Sequence, residues 1–513
     1  MTPARLLFAI AAPVLLMPAC STAEHDSVPT QPQQTVRNYR PQLIDRQCPV
    51  EIPAEARVTC QALVVPENRT KTDGRHVELP VIRIHSRNPT PKPDPVVYLH
   101  GGPGSGTLGR GLANRVTNPI LDERDLILFD QRGSGFATPS LDCPEREQAF
   151  VDTLATARPY DQSIAAFDTA LLSCHARLVG SGIDLDQYNT ATNAADLADL
   201  RVALGLDQWN LWGVSYGTRL ALEEMRSYPE GVRSVLIDSV YPTTAGAADD
   251  ALKSGRSAFD ALVNGCATDV VCSSAYPDLA GQFRMAIDRL NATPYPYDYT
   301  DPTGKVIPLK ITGQAAIGGL FNALYDTELI PLLPLAITQL ARGDYSLLAT
   351  IGQQAIPFVN NISEGAYLSF ECADQGHRID QRRVESLRKN AEDGDVALLA
   401  GWNLFCDQWP VAGLPANFAE PVTSDIPTLV VAGEYDPITP PAQSKAVADA
   451  LKNKVFIQLP RAGHGPVRDY PCGDKIFTRF WDDTTQVDTS CVTGITPAPF
   501  KLPDPPAPGK ASR

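Results

Sequence analysis

Short, uninterrupted apolar runs recur in the first half and near the end of this chain of 513 residues. They occupy residues 95–99, 125–129, 209–212, 234–237, 427–432 and 455–459. Apolar runs of this length without polar alternation are typical of strands that are covered on both faces. Helical patterns lie between several of them, at about 161–179, 192–204, 216–228 and 440–451. Strands that alternate with helices predict an α/β fold with a mostly parallel, doubly wound sheet.

Two regions depart from this alternation. Alternating runs at 58–65 and 77–84 predict a hairpin ahead of the parallel strands. Residues 242–420 contain mostly helix-like stretches and proline-rich turns such as Pro294-Tyr-Pro296. We therefore expect a core in two parts, interrupted by a large helical lid and followed by a flexible proline-rich tail. These segments are 43–241 and 421–495 for the core, 242–420 for the lid and 496–513 for the tail.

The N-terminal residues indicate export. Arg5 precedes an apolar run of about a dozen residues that ends in small residues, which predicts a signal peptide over 1–19 and is too short to span a bilayer. Leu16-Met-Pro-Ala-Cys20 resembles the lipobox of bacterial lipoproteins, which would make Cys20 a lipidation site. The alternative is cleavage after Ala23 and free secretion. Residues 20–42 are polar and proline-bearing, as expected of a tether.

Ten further cysteines remain after either cleavage, and an even number in an exported chain predicts disulfides. Their connectivity is open, although pairing neighbours in order would give five short loops. The chain lacks Cys-x-x-Cys and His-Glu-x-x-His, so we expect neither a metal nor another cofactor. The cysteines are Cys48, Cys60, Cys143, Cys174, Cys266, Cys272, Cys372, Cys406, Cys472 and Cys491.

The charge of the chain restricts its partners. A net charge of −15 without any basic run argues against binding to nucleic acids or to anionic membranes. A lipid anchor at the N-terminus would then be the route to a membrane. The oligomeric state is not predicted.

Gly213-Val-Ser-Tyr-Gly217 lies between a predicted strand and a predicted helix. Glycines allow a sharp strand-to-helix turn, and such a turn exposes its central serine at the edge of the sheet. The start of the following helix also favours negative charge that develops near the serine. Ser215 is therefore the candidate nucleophile.

A serine nucleophile needs a base and an acid. In enzymes with this turn the chain order is serine, acid, histidine, which leaves His377 and His464 as candidate bases. His377 falls in the predicted lid, whereas His464 follows the last predicted strand. Asp436, after the preceding strand, is the expected acid, and Glu434 is the rival closer to the strand end. His464 would deprotonate Ser215, and Asp436 would orient the imidazole.

A second glycine-rich loop, His100-Gly-Gly-Pro-Gly104, follows the strand at 95–99. Such a loop can present backbone N–H groups to a developing oxyanion. We expect the amides of Gly102 and Tyr216 to be these donors, and His100 to orient the loop.

These motifs, with Asp130-Gln-Arg-Gly-Ser-Gly135, Gly433-Glu-Tyr-Asp-Pro-Ile-Thr-Pro440 and Gly463-His-Gly465, resemble the proline iminopeptidase branch of the α/β-hydrolases. Cys372-Ala-Asp374 and Cys406-Asp-Gln-Trp-Pro410 are similar to segments of exported bacterial tripeptidyl aminopeptidases. The resemblance covers nearly all of the chain beyond the signal peptide. It implies the α/β-hydrolase fold, an acyl-enzyme on Ser215, and peptide substrates with a free N-terminus.

An aminopeptidase must bind a protonated α-amine, which favours carboxylates in its site. Glu371 and Asp374, which flank Cys372 in the predicted lid, are the candidates. Release of tripeptides, of dipeptides or of single residues such as proline cannot be separated at this stage. A carboxylesterase or lipase with the same triad and a non-catalytic binding protein on a hydrolase fold remain the alternatives.

Overall fold

The computed structural model describes residues 39–109, 112–244, 247–301, 304–348, 350, 362–378, 382, 386 and 406–503. The predicted signal peptide, Cys20 and all but the last residues of the predicted tether lie outside the described residues. Within the described part of the chain, no helix has both the length and the apolar character that crossing a bilayer requires.

The core is a nine-stranded sheet in the order β1-β2-β3-β5-β4-β6-β7-β10-β11. The pairs β1–β2, β2–β3 and β3–β5 are antiparallel, and all pairs from β5 to β11 in this order are parallel. The predicted hairpin, as β2 and β3, and the predicted parallel sheet are both confirmed. The sheet strands are β1 Gln42–Asp45, β2 Val58–Pro66, β3 His76–Ile84, β4 Val96–Leu99, β5 Leu126–Phe129, β6 Trp209–Val214, β7 Val232–Asp238, β10 Thr428–Gly433 and β11 Lys454–Leu459.

Apolar side chains on both faces of this sheet pack against helices. The parallel strands β4 and β5 are buried at every position, which explains why they read as continuous apolar runs. One of the two buried clusters contains Trp212 of β6, whose ring contacts Phe477 edge-on at 4.7 Å. The core helices are α1 Leu112–Val116, α2 Pro144–Thr156, α3 Tyr160–Gly180, α4 Thr190–Ala203, α5 Tyr216–Ser227, α12 Pro441–Ala450 and α13 Pro471–Phe480.

The chain between β7 and β10 contains two differently packed parts. Its first part, residues 247–348, has an apolar cluster of its own. In its second part, the described residues from 362 onward, Phe370 and Trp409 belong to the core cluster. The segment predicted as one lid therefore packs in two ways, since its first part forms a separate apolar cluster and its second part joins the core cluster. The elements are α6 Ala247–Thr268, α7 Val270–Ala275, α8 Leu279–Ala292, β8 Tyr295–Thr300, β9 Val306–Ile311, α9 Gly313–Ala323, α10 Leu333–Arg342 and α11 Glu364–Gln375.

Two local predictions in this region and at the C-terminus are wrong. Pro296 lies in a two-stranded hairpin rather than in a turn, because a strand with a free edge tolerates proline. The tail is not loose up to residue 503, since Phe500 is buried in the cluster of the first lid part and the guanidinium of Arg461 lies 4.2 Å from its ring. The amide of Lys501 also donates to the carbonyl of Pro331.

The ten cysteines of the described chain form five disulfides between neighbours in sequence. The Cα–Cα distances, between 5.1 and 5.8 Å, are ordinary for disulfides. Each bridge therefore closes a local loop. The pairs are Cys48–Cys60, Cys143–Cys174, Cys266–Cys272, Cys372–Cys406 and Cys472–Cys491.

Candidate active site

Ser215 lies in the sharp turn between β6 and α5. Its φ of 58° is rare for a residue with a side chain and is a form of strain that recurs at functional turns. The flanking glycines are required by space: a Cβ on Gly213 would lie 2.5 Å from the carbonyl oxygen of Gly217, and one on Gly217 would lie 1.9 Å from that of Leu99. The sequence therefore folds into a turn that presents the hydroxyl of Ser215 at the carboxyl edge of the sheet.

His464 and Asp436 meet at the same edge. The Nδ1 atom of His464 lies 2.8 Å from Oδ2 of Asp436, and the carboxylate is otherwise bound by the amides of Ile438 and Thr439 and by the hydroxyl of Thr439. Burial opposes ionisation of Asp436, but the neighbouring imidazole and these hydrogen bonds outweigh it and lower the pKa of the carboxyl. Asp436 is thus held as a carboxylate that can fix the imidazole and stabilise its charge.

The two rival candidates do not make these contacts. Oε2 of Glu434 accepts the amide hydrogen of Arg461 at 2.7 Å and so supports the loop that leads to His464. The side chain of His377 lies outside the described residues. The geometry therefore favours His464 and Asp436.

Ser215 and His464 line one cavity of about 490 Å³, a size typical of small-molecule pockets. The described contacts contain no hydrogen bond between the hydroxyl of Ser215 and the imidazole. Such contacts between nucleophile and base often tighten only when substrate binds. The remaining lining comes from the loop after β4, from the turn after α9, and from the strand and loop ends beside Ser215. It consists of Tyr98, His100, Gly101, Gly102, Ser105, Val214, Asn322, Ala323, Tyr325, Asp326, Thr327, Leu329, Ile362 and Asp469.

The glycine loop after β4 approaches Ser215 closely. A Cβ on Gly101 would lie 2.7 Å from Cβ of Ser215, so only glycine allows this approach. Gly102 lines the cavity with φ of 124°, and Tyr216 begins α5, where the first amides have no partner within the helix. Gly102 and Tyr216 therefore remain the candidate donors to an oxyanion.

Asp130 and Gln131, whose roles sequence reasoning missed, hold this loop. One carboxylate oxygen of the buried Asp130 accepts the amides of Thr107 and Leu108, and the other accepts the amide of Phe136. The side chain of Gln131 donates to the carbonyl of His100 at 2.9 Å. The signal was their position directly after a buried strand that neighbours the one carrying the glycine loop.

The lid is fastened to the loop that carries His464. The carbonyl of Tyr325 accepts the amide of His464 at 2.9 Å, and the hydroxyl of Thr327 accepts the amide of Gly463 at 3.0 Å. The same hydroxyl donates to the carboxylate of Asp469, and the ring of Tyr325 lies 4.8 Å from the imidazole. The turn after α9 is therefore part of the site's framework.

Glu371 and Asp374 were predicted to bind the substrate amine, and this prediction is wrong. Both are fully buried in α11, and neither lines the cavity. Asp374 lies 3.4 Å from the buried guanidinium of Arg219 and accepts a hydrogen bond from Thr190, while Glu371 accepts one from Tyr241. An arginine on α5 that faces α11 uses these carboxylates to join the second lid part to the core, so they are not available to substrate.

One group of possible metal ligands occurs among the described residues. The side-chain ligand atoms of Cys143, Glu145 and Cys174 lie within 4.8 Å of one another. Both sulfurs are joined in a disulfide, and Glu145 pairs with Arg177 at 2.7 Å. The group is therefore unsuited to hold a cation.

Comparison with known proteins gives the family. The sequence profile described as the alpha/beta hydrolase fold matches residues 94–467 of this chain. The chain is an α/β-hydrolase. In this α/β-hydrolase the candidate nucleophile follows β6, and the candidate acid and histidine follow β10 and β11, in agreement with the chain order of the fold.

The relatives of this α/β-hydrolase include several peptidases. It is 27% identical over 440 residues to the serine protease Hip1 of Mycobacterium tuberculosis, covering 79% of this chain and 81% of Hip1. It is 24% identical over 469 residues to the tripeptidyl aminopeptidase of Streptomyces lividans, covering 86% and 85%. A shorter match, 30% identical over 151 residues, covers 29% of this chain and 34% of the proline iminopeptidase of Xylella fastidiosa.

Proposed function

We propose that this α/β-hydrolase is a serine aminopeptidase that removes short N-terminal fragments from peptides. The observation that carries the proposal is the cavity that Ser215 and His464 share, with Asp436 2.8 Å from the imidazole. The carboxylates of Asp326 and Asp469 line the same cavity. The full-length matches to a serine protease and to a tripeptidyl aminopeptidase support the peptide as substrate. The proposed site therefore combines a hydrolytic triad with carboxylates that bind the protonated N-terminus of the substrate.

The chemistry is acyl transfer. His464 accepts the proton of Ser215 as the hydroxyl attacks the carbonyl carbon of the scissile peptide bond, and the amides of Gly102 and Tyr216 stabilise the oxyanion. His464 then gives the proton to the departing amine as the carbon–nitrogen bond breaks, which leaves an ester on Ser215. Water, deprotonated by His464, attacks this ester and releases the N-terminal fragment.

The substrate amine is assigned to Asp326 and Asp469. Both line the cavity that contains Ser215, one from the turn after α9 and the other from the loop after β11. A protonated amine between two carboxylates forms charge-assisted hydrogen bonds, which are stronger than neutral ones. These residues take the place of Glu371 and Asp374 in the account of specificity.

The same proposal includes export. Residues 1–19 are removed as a signal peptide, and Cys20 carries a lipid anchor on the outer side of the membrane. Five disulfides between all the other cysteines support an oxidising compartment. Intact mass of the mature protein tests this: acylated Cys20 is the expected N-terminus, whereas a start at Glu24 would mean free secretion and an intact Met1 would exclude export.

A peptide library tests the activity. Purified protein is incubated with peptides that have free N-termini and with their N-acetylated counterparts, and the products are sequenced by mass spectrometry. We expect N-terminal fragments from the free peptides only, and none from the Ser215→Ala variant. Rapid turnover of p-nitrophenyl esters with no peptide cleavage would replace the peptidase with a carboxylesterase.

A further inference from the structure

The end of β7 lies between the nucleophile and the acid. This strand pairs with β6, which precedes Ser215, and with β10, which precedes Asp436. Its last residue, Asp238, is fully buried. The carbonyl oxygen of Asp238 accepts the amide of Ser215 at 3.1 Å, so its backbone is fixed relative to the nucleophile.

The side chains of Asp238 and Ser239 reach in the other direction, to the loop after β11. Oδ2 of Asp238 accepts the amide of Val467 at 3.0 Å, and the hydroxyl of Ser239 accepts the amide of Gly465 at 2.8 Å. Ser239 adopts a φ of 59°, a left-handed conformation that is rare for a residue with a side chain. The two acceptors therefore bind the backbone directly after His464.

We propose that Asp238 and Ser239 are positioning residues that hold His464 in register with Ser215. Asp238 links the nucleophile turn directly to the loop after His464. Its backbone carbonyl accepts the amide of Ser215, and its side chain accepts the amide of Val467. The lid supports the same loop through the carbonyl of Tyr325, which accepts the amide of His464. This inference deepens the proposed function and depends on its triad.

The chemical form of Asp238 suits this role. Burial raises the pKa of its carboxyl well above the ordinary value, and the negative charges of Asp469 and Asp436 raise it further against the lowering effect of the amide of Val467. The charged groups that act on this carboxyl come from the loop after β10 and from the loop after β11. The role needs only an acceptor for the amide of Val467, which an asparagine of the same shape can also supply.

Three variants separate an acceptor from a charge. Asp238→Leu removes the acceptor, Asp238→Asn keeps it, and Ser239→Ala removes its neighbour. The matched control is Ser234→Ala, a buried serine of the same strand whose hydroxyl donates to Asn210, away from the catalytic edge. The readouts are the rate of labelling by a fluorophosphonate, kcat and KM on a peptide, and the pH profile of kcat.

We expect Asp238→Leu to lower the labelling rate and kcat by about 10- to 100-fold with little change in KM, because small displacements of catalytic groups have effects of this size. Asp238→Asn should keep the labelling rate and kcat within about threefold of the wild-type values and leave the pH profile unchanged. Ser239→Ala should lower the labelling rate and kcat by about tenfold. Equal losses in Asp238→Asn and Asp238→Leu, or a normal rate in Ser239→Ala, would overturn the proposal.

The labelling rate keeps this test separate from the proposed function. It reports the assembly of the triad whichever peptide or ester is the substrate, so wild-type protein that reacts but cleaves no peptide would contradict the aminopeptidase and leave the positioning test readable. Wild-type protein that fails to react would overturn both. If Asp238→Leu does not fold, Ser239→Ala against Ser234→Ala decides.

Discussion

The carbonyl of Tyr325 accepts the amide hydrogen of His464 at 2.9 Å, and the two rings lie 4.8 Å apart. A residue of the lid thus contacts both the backbone and the imidazole of the proposed base. The position of His464 therefore depends on the lid.

Removal of the Tyr325 ring tests this dependence. In Tyr325→Ala the main-chain hydrogen bond remains but the imidazole loses its packing partner, so we expect kcat to fall by about tenfold or more. Tyr345→Ala is the control, because it removes a stacked ring of the same lid, 4.3 Å from Tyr295, that does not line the cavity. Equal losses of kcat in the two variants would mean that only the general stability of the lid matters.

The acid of the triad is testable by a pair of isosteric changes. Asp436→Asn removes the charge that fixes the imidazole, and such a change typically lowers kcat by about 10⁴-fold. Glu434→Gln keeps an acceptor for the amide of Arg461 and should retain most of the activity. Steady-state kinetics on a peptide substrate compares them, and the reverse order of the two losses would make Glu434 the acid.

The cavity carboxylates of Asp326 and Asp469 predict selectivity for substrates with a free amine. Asp469→Asn and Asp326→Asn should each raise KM for free-amine peptides by about tenfold, the effect of one charged hydrogen bond, and leave KM for N-acetylated esters nearly the same. Glu328→Gln is the matched control, since this exposed acid of the same turn does not line the cavity. Parallel changes on both substrate types would exclude the two aspartates from amine binding.

The carboxylates of Asp326 and Asp469 also predict that KM for free-amine substrates depends on pH. Although Asp469 is exposed, desolvation by its surroundings raises the pKa of its carboxyl, and the charges of Asp326 and Glu328 add to this against the hydrogen bond from Thr327. A raised pKa means that Asp469 is protonated, and loses its attraction for an ammonium, at a higher pH than an ordinary aspartate. As the pH is lowered, the KM for free-amine substrates divided by the KM for blocked substrates should therefore rise. This rise should begin at a pH above the range in which an ordinary aspartate titrates.

The variant Asp326→Asn shifts this titration in a defined direction. Because it removes a neighbouring negative charge, it should move the midpoint of the KM ratio towards lower pH. Use of the ratio removes effects of His464, which both substrates share. A midpoint that moves upward, or a ratio that does not depend on pH, would contradict the assignment.

The disulfides make a prediction about stability. Cys372–Cys406 spans 34 residues and Cys266–Cys272 spans 6. The loop-entropy relation gives a larger effect for the longer loop, so the Cys372→Ala/Cys406→Ala variant should lose about 1.5 kcal/mol more unfolding free energy than Cys266→Ala/Cys272→Ala. Urea denaturation without reductant measures both. The opposite order would mean that local packing outweighs loop length.

Much of the fold could be predicted because its signals are local. The buried parallel strands are continuous apolar runs, and the glycines around Ser215 mark a turn that only they allow. The order of serine, acid and histidine then restricts the candidates further. Each of these features lies within a few residues, where spacing and composition are informative.

The parts that sequence reasoning missed depend on contacts between distant segments. Asp326 and Asp469 are 143 positions apart and reach one cavity only because the lid folds over the loop after β11. Glu371 and Asp374 appeared available because the buried Arg219 that binds them belongs to another helix. The burial of Phe500 likewise depends on an apolar cluster whose other members, apart from Tyr435, lie about 150 residues or more earlier in the chain.

Active-site labelling tests the central claim, that Ser215 is a nucleophile activated by His464 and Asp436. Purified protein is treated with a fluorophosphonate, and the modified residue is identified by tandem mass spectrometry. We predict one adduct, on Ser215, that is absent in Ser215→Ala, forms far more slowly in His464→Ala, and is suppressed by peptides with a free N-terminus. An adduct on another residue, or equal labelling of the Ser215→Ala variant, would contradict the account.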